Sequence, residues 1–139
     1  MPRESTRAII EDMIDAYKQG DNDRLAARYH VDVDWLFHAP VVLFPFAGAR
    51  RGKAEVFKGF AAMYEAYRPV EYEVEVVLAD GDHAATMCDA HMEQRTTGRI
   101  IRSRIANFHR FQDGLVVQYR GFMDSFDTAE QVLGRELDI

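Results

Sequence analysis

Residues 70–94 read VEYEVEVVLADGDHAATMCDAHMEQ, and the way this stretch divides decides the fold. Its first half alternates, with Val70, Tyr72, Val74, Val76 and Leu78 on one side and Glu71, Glu73 and Glu75 on the other. Successive side chains of an extended chain leave opposite faces, so a period of two marks a strand with one face in water. The three glutamates are then a solvated face rather than a carboxylate cluster awaiting a metal. ADGD, residues 79–82, carries turn chemistry, and residues 83–94 return as a second strand. With ADGD as a four-residue loop, Leu78 opposes His83, Val76 opposes Ala85, Val74 opposes Met87, Tyr72 opposes Asp89 and Val70 opposes His91. This register turns Asp89 and His91 inward, on a strand otherwise lined by Ala85 and Met87.

Downstream, RIIRSRIANFHRF (99–111) and LVVQYRGFM (115–123) read as two further long strands joined at Gln112–Asp113–Gly114. A two-residue turn pairs Asn107 with Arg120, and a three-residue turn with a bulge pairs Asn107 with Tyr119. The second reading sends Ser103, Ile105, Asn107 and His109 to the same side as Val117, Tyr119, Gly121 and Met123, and leaves Arg102, Arg104, Arg110 and Arg120 on the other. DTAEQVLG (127–134) has capping-box spacing, Asp127 to Glu130, ahead of a short helix.

Upstream, the pattern is helical. Ile9, Ile10, Met13, Ala16 and Tyr17 form an apolar stripe in a helix over residues 4–19, ended by Gly20. Asp21 or Asp23 caps a short second helix through Tyr29, and VDVDWLFH (31–38) is a strand. A third helix runs from Lys53 to about Tyr67, before Pro69 forces extended chain. Helices followed by an antiparallel meander predict an α+β domain over residues 1–139, its strongly curved mixed or antiparallel sheet wrapped around the N-terminal helices. Between strand and helix, VVLFPFAGARRG (41–52) is unusually apolar for connecting chain. Phe44 and Phe46 there suit the rim or lid of an apolar cavity.

Composition narrows the function. The chain has 139 residues, 47% hydrophobic and 29% charged, which suits a globular protein. Its net charge of −6 speaks against nucleic acid or anionic membrane as a partner. The single cysteine, Cys88, permits no internal disulfide and no cysteine-rich metal site. No metal and no organic cofactor is expected, since no dense ligand motif, phosphate loop, dinucleotide fingerprint or nucleophile elbow occurs. The N-terminal segment becomes amphipathic at once and does not read as a secretory leader. A cytoplasmic location is therefore expected.

The helices, the PFAG connector before a Gly-led helix, the long meander and the terminal YRGFMDSFDTAEQVLG together resemble the SnoaL-like branch of the nuclear-transport-factor-2-like (NTF2-like) superfamily. That superfamily also holds ketosteroid isomerases and limonene-epoxide hydrolases. The resemblance spans about residues 5–135 and implies a cone: a curved sheet and helices around a deep apolar pocket, with the outer sheet face forming a homodimer. Compared with the epoxide hydrolases, their first-strand tyrosine and asparagine fall on Leu36 and His38, and their arginine and aspartate near Asp89 and His91. Their last-strand tryptophan and aspartate fall on Tyr119 and Gly121, so the epoxide-opening set is incomplete here. The isomerases and cyclases move protons beside an enolisable carbonyl with a carboxylate or histidine in an apolar cavity.

These readings make Asp89 or His91 the expected base and His38 and Tyr119 the orienting donors. Trp35, Phe44, Phe46, Met63, Tyr72, Met87, Ile105, Asn107 and Met123 are expected to contact the substrate. The expected activity is a cofactor-independent isomerase, cyclase or lyase acting on a small hydrophobic, oxygenated or cyclic molecule. Two rivals keep the same fold: a non-catalytic small-molecule binding protein, and a protein-interaction domain whose apolar connector contacts a partner and whose hollow is filled.

Overall fold

The computed structural model describes residues 4–138, so the ends of the 1–139 span lie outside the described residues. Helix α1, Thr6–Gln19, is capped by Ser5, whose side chain accepts from the Ala8 N–H. It stops at Gly20, which takes the left-handed conformation (φ 70°) that a side chain would oppose. Helix α2, Asn22–Ala26, is capped by Asp21 and is shorter than the sequence suggests, because Tyr29 already opens strand β1, Tyr29–His38. The apolar connector contains a short strand the sequence reading leaves out, β2, Gly48–Arg51. Helix α3, Lys53–Ala66, leads directly into β3, Tyr67–Asp80. The meander continues as β4, His83–Gln94, β5, Ile100–Gln112, and β6, Leu115–Met123. Helix α4, Ser125–Leu133, is capped by Asp124 rather than Asp127; Asp127 instead accepts from the Gln131 side chain.

The six strands form one curved, unclosed sheet in the order β2-β1-β6-β5-β4-β3. Only β1 and β6 run parallel; the other neighbours are antiparallel. The expected α+β architecture is thus present. Helices α1 and α3 lie against the concave face, where Ile10, Met13 and Val56 meet Val33, Trp35 and Val116 in the core.

Register is where the structure departs from the sequence reading. The β3–β4 hairpin closes on a two-residue turn, Gly81–Asp82, so Leu78 faces Ala85 and Val76 faces Met87. The register then slips at Glu75, and beyond the slip Val74 faces Cys88, Glu73 faces Asp89, Tyr72 faces Ala90 and Glu71 faces His91. An extra residue in one strand rotates everything past it to the opposite face. Tyr72 and Val74 are turned in and partly covered, whereas Val76 and Leu78 are exposed. Strand β4 has no slip against β5 and keeps Ala84, Thr86, Cys88 and Ala90 buried. Asp89 and His91 therefore lie on the convex face, contrary to the expected register.

The β5–β6 hairpin matches neither reading in detail. Its turn has two residues, Asp113 (φ 52°) and Gly114 (φ 77°), the pair of positive φ values that lets a tight hairpin follow the strand twist. A slip at Val117 then brings Asn107 opposite Gly121 and His109 opposite Tyr119. The slip offsets the shorter turn. Ser103, Asn107 and His109 are buried with Tyr119 and Gly121, while Arg102 and Arg104 are exposed.

Arg50 on β2 fixes the connector. Its guanidinium donates to the Pro45 carbonyl at 2.8 Å and the Glu55 carbonyl at 3.2 Å, and lies over Gly59 of α3, where a Cβ would stand 2.8 Å from Nε. The bond to Pro45 holds Phe44 and Phe46 beside α3. Arg50→Ala should lower stability by about 1–2 kcal/mol in urea titration. It should also speed amide hydrogen exchange in residues 43–47; unchanged exchange there would refute the clamp.

Candidate functional site

The concave face and the helices surround a hollow of about 140 Å³ that opens outward. The hollow exists because β4 lines it with the short side chains of Thr86 and Ala90. Around it stand Ile10, Met13, Ile14 and Tyr17 of α1, Phe60 and Met63 of α3, and Phe44 and Phe46 of the connector. Tyr29, Trp35 and Phe37 of β1 close the side opposite β4. Among the described residues that line it there is no aspartate, glutamate, lysine or arginine.

Its polar groups converge on Tyr119. This ring stacks on Trp35, its partner across the parallel β1–β6 pair, with centroids 3.8 Å apart. Its hydroxyl donates to Asn107 Oδ1. The bond is possible because Gly121 faces Asn107: a Cβ on Gly121 would overlap the Tyr119 hydroxyl and stand 2.7 Å from the Phe37 ring. The Asn107 amide then donates to Thr86 Oγ1 (3.2 Å) and Cys88 Sγ (3.4 Å). The Cys88 thiol, with one hydrogen to give, stands 3.2 Å from the Tyr72 hydroxyl and 3.5 Å from the Ile105 carbonyl. Burial pushes the pKa values of Tyr119 and Tyr72 well above the usual phenol range and that of the Cys88 thiol upward. The cluster is accordingly a set of neutral hydrogen-bonding groups.

His109 is the one cavity-lining imidazole, edge-on to Tyr119 with ring centroids 5.0 Å apart. Burial lowers its pKa from 6.5 to about 4, and Nδ1 is buried with no hydrogen-bond partner. With no carboxylate beside it, the ring is neutral at pH 7.

Of the residues singled out from sequence, Tyr119, Asn107, Tyr72, Trp35, Phe44, Phe46, Met63, Ile105 and Met123 line this cavity. Asp89, His91, His38 and Met87 do not. His91 bridges Glu71 and Asp89 at 3.3 Å each on the convex face. His38 is exposed and stacks on Phe122 at 4.4 Å, and Met87 is exposed on the same side. The slip at Glu75 and the strict pairing of β4 with β5 account for Met87, Asp89 and His91. His38 follows from the alternation of β1, in which Trp35 and Phe37 are the inward residues. His109 and Tyr17 were not singled out as site residues, although His109 shares the face of Asn107 in one β5–β6 register and Tyr17 belongs to the α1 stripe. Among the described residues no group of three His, Cys, Asp or Glu side chains could hold a metal.

A model of the family described as SnoaL-like domain matches residues 10–119. The crystal structure titled "Putative Isomerase" from Rhodopseudomonas palustris is 32% identical, covers 97% of this chain and 100% of its own, and superimposes with a TM-score of 0.83. An NTF2-like protein from Burkholderia thailandensis is 21% identical over 94% of this chain and 98% of its own, with a TM-score of 0.82. An epoxide hydrolase from M. tuberculosis, described as LEH-like, is 16% identical over 93% and 90%, with a TM-score of 0.73. No protein of curated function matches.

The depressed His109 pKa has a measurable consequence. The folded protein keeps the ring neutral where the unfolded chain, with an ordinary histidine near 6.5, takes up a proton. Stability from this group is complete above about pH 6.5 and is lost as pH falls toward 4, roughly 3 kcal/mol across the window. Urea titrations at pH 7.5, 6 and 5 should show wild type losing stability more steeply than His109→Phe; parallel losses would refute the buried neutral ring.

Proposed function

The chain belongs to the SnoaL-like domain family, and from that premise we propose that its cavity binds a small, uncharged, hydrophobic molecule, oxygenated or cyclic, and moves a proton on it without a cofactor. The observation that carries the reading is the cavity itself: a hollow of about 140 Å³ that opens outward, apolar and aromatic, with one convergent polar cluster and one neutral imidazole. The name of the Rhodopseudomonas palustris relative, "Putative Isomerase", supports the same class of chemistry.

In this reading His109 replaces Asp89 and His91 as the base. It takes a proton from the carbon beside a carbonyl, the electron pair moves to the oxygen, and an enolate forms against neutral hydrogen-bond donors beside the imidazolium. Return of the proton to another carbon gives an isomer; attack of the enolate carbon on an internal carbonyl breaks that C=O π bond, and its oxygen takes the proton back from the imidazolium to give a ring. Tyr119 keeps an orienting role through Asn107. The binding-only alternative is favoured by one feature, the lack of a cavity carboxylate, which leaves a weak base as the only one. The protein-interaction alternative requires a filled hollow and is disfavoured by the volume present.

2-Tetralone, a compact cyclic ketone, separates the first two readings. In deuterated buffer the wild type should accelerate loss of its α-proton NMR signals, and His109→Phe should lower that rate about 100-fold or more. Saturable binding with no acceleration would overturn catalysis and leave binding.

We also propose that two copies associate through the convex face. Val76, Leu78, Met87, Phe108 and Phe122 are 37–61% exposed there, in two adjoining rows set by register: Val76–Met87–Ala106–Phe122 and Leu78–Ala85–Phe108. Charged residues of both signs border the rows, including Asp89 and Arg104 on one side and Asp34 and Arg110 on the other. An apolar centre with a mixed-charge rim is the composition of an isologous interface. Sedimentation at micromolar concentration should give twice the chain mass, and Phe108→Asp should give the monomer; a monomeric wild type would refute this assembly.

A further inference from the structure

Two hydroxyls that line the cavity are buried with bonding capacity to spare, and register sets them apart. Thr86 on β4 is 6% exposed; its oxygen accepts from the Asn107 amide at 3.2 Å, and among the described residues its own hydrogen goes to no acceptor. Ser103 on β5, 8% exposed, stands 3.4 Å from Thr128 Oγ1 of α4, and its side chain has no other hydrogen-bond partner among the described residues. Thr128 has one hydrogen, with the Asp124 carbonyl at 2.7 Å and Ser103 at 3.4 Å as its acceptors. Whichever it takes, at least one Ser103 lone pair stays free. Nor does the Ser103–Thr128 contact, longer than an ordinary O–H···O bond, hold the helix in place. Gln131 does that: its side-chain amide exchanges bonds of 2.7 and 2.8 Å with the Arg102 N–H and carbonyl, beyond the last β5–β6 pair, Ile105–Met123. Ser103 is thus a buried hydroxyl that the fold positions without using.

We infer that Ser103, with Thr128 behind it, forms a second polar subsite that accepts a hydrogen bond from a ligand hydroxyl, and that the ligand is a neutral molecule with an oxygen at each end of an apolar body. The inference rests on the cavity-binding reading above and deepens it. Thr86 pairs with Asn107 and Ala90 with Ser103, so the two hydroxyls lie four residues apart along the strands, about 13 Å. Hydrogen bonds of ordinary length at both ends leave about 8 Å between the ligand's own oxygens. Ile105 and its β6 partner Met123 line the interval, which makes the middle of the ligand apolar. The oxygen at Thr86 meets an offered hydrogen and has to accept it. The oxygen at Ser103 meets a lone pair and has to donate.

The test uses two probes that differ by that one hydroxyl. 6-Methoxy-2-naphthol carries oxygens at opposite ends of two fused rings, and 2-methoxynaphthalene lacks the hydroxyl. By titration calorimetry at pH 7, wild type should bind the naphthol about fivefold more tightly. Ser103→Ala should bring that ratio to about one while the affinity for 2-methoxynaphthalene, which also reports an intact cavity, holds. Ser103→Cys, of nearly the same size and a weaker acceptor, should give an intermediate ratio. Thr86→Val should weaken both probes alike and leave the ratio near its wild-type value.

If wild type binds the two probes equally, or the preference survives Ser103→Ala, the subsite is overturned and the cavity reading stands. If Thr86→Val rather than Ser103→Ala removes the preference, the hydroxyl sits at the other end and the subsite is likewise overturned. If neither probe binds, the cavity reading fails and the subsite with it.

Discussion

The concave face depends on which side of β4 turns toward the helices. Ala84, Thr86, Cys88 and Ala90 are small, so the layer between sheet and helices cannot close at their positions and a hollow is left. Had the other set faced inward, Met87 and His91 would fill that space and Asp89 would be buried among rings with no cation to meet it. Burying an unpaired carboxylate costs more than a solvated one can return. The observed choice leaves Asp89 and His91 in contact with each other, Glu71 and water. The irregularity at Glu75 allows β3 to follow: it keeps Tyr72 and Val74 on the cavity side while releasing Val76 and Leu78 to the convex face.

Gly121 plays a matching part on the other side of the cavity. Register places it opposite Asn107 and alongside Phe37, at the point where the Tyr119 side chain leans along its own strand. Without a Cβ there, the hydroxyl reaches the amide, and the amide goes on to Thr86 and Cys88.

Much of this was legible in the sequence, for identifiable reasons. The α1 stripe, the Gly20 stop, the long alternating strands and the apolar connector follow from short-range chemistry that tertiary context did not override. Ser103, Asn107 and His109 were set on the inner face because the alternative would have buried a row of arginines, a cost large enough to settle a face. The facing of β4 was not legible in the same way, since a single inserted residue reverses it at little energetic cost. One signal did exist: Val76–Val77–Leu78 breaks the alternation that Glu71, Glu73 and Glu75 establish, and the slip falls beside that break. His109 carries no role in the sequence reading beyond that face, because a histidine becomes informative only once its neighbours are known to be uncharged.

That lack of charge shapes what the cavity can do. In an enzyme whose base is a buried carboxylate, the base carries its own negative charge, and the site must tolerate that charge before substrate arrives. Here the resting cavity holds no formal charge among its described residues, and His109 is neutral from about pH 5 upward. In the proposed reaction, proton transfer would create a separated pair, an imidazolium and an enolate, inside an apolar enclosure where unscreened opposite charges attract strongly. The imidazolium would gain from that attraction what burial alone denies it, so the low pKa of the empty cavity describes the resting state and rises as the enolate forms. The Tyr72 hydrogen would share the enolate's charge without being surrendered, because burial holds that phenol's pKa high. A neutral cavity of this kind suits a neutral ligand at rest and generates its electrostatic stabilisation only along the reaction coordinate.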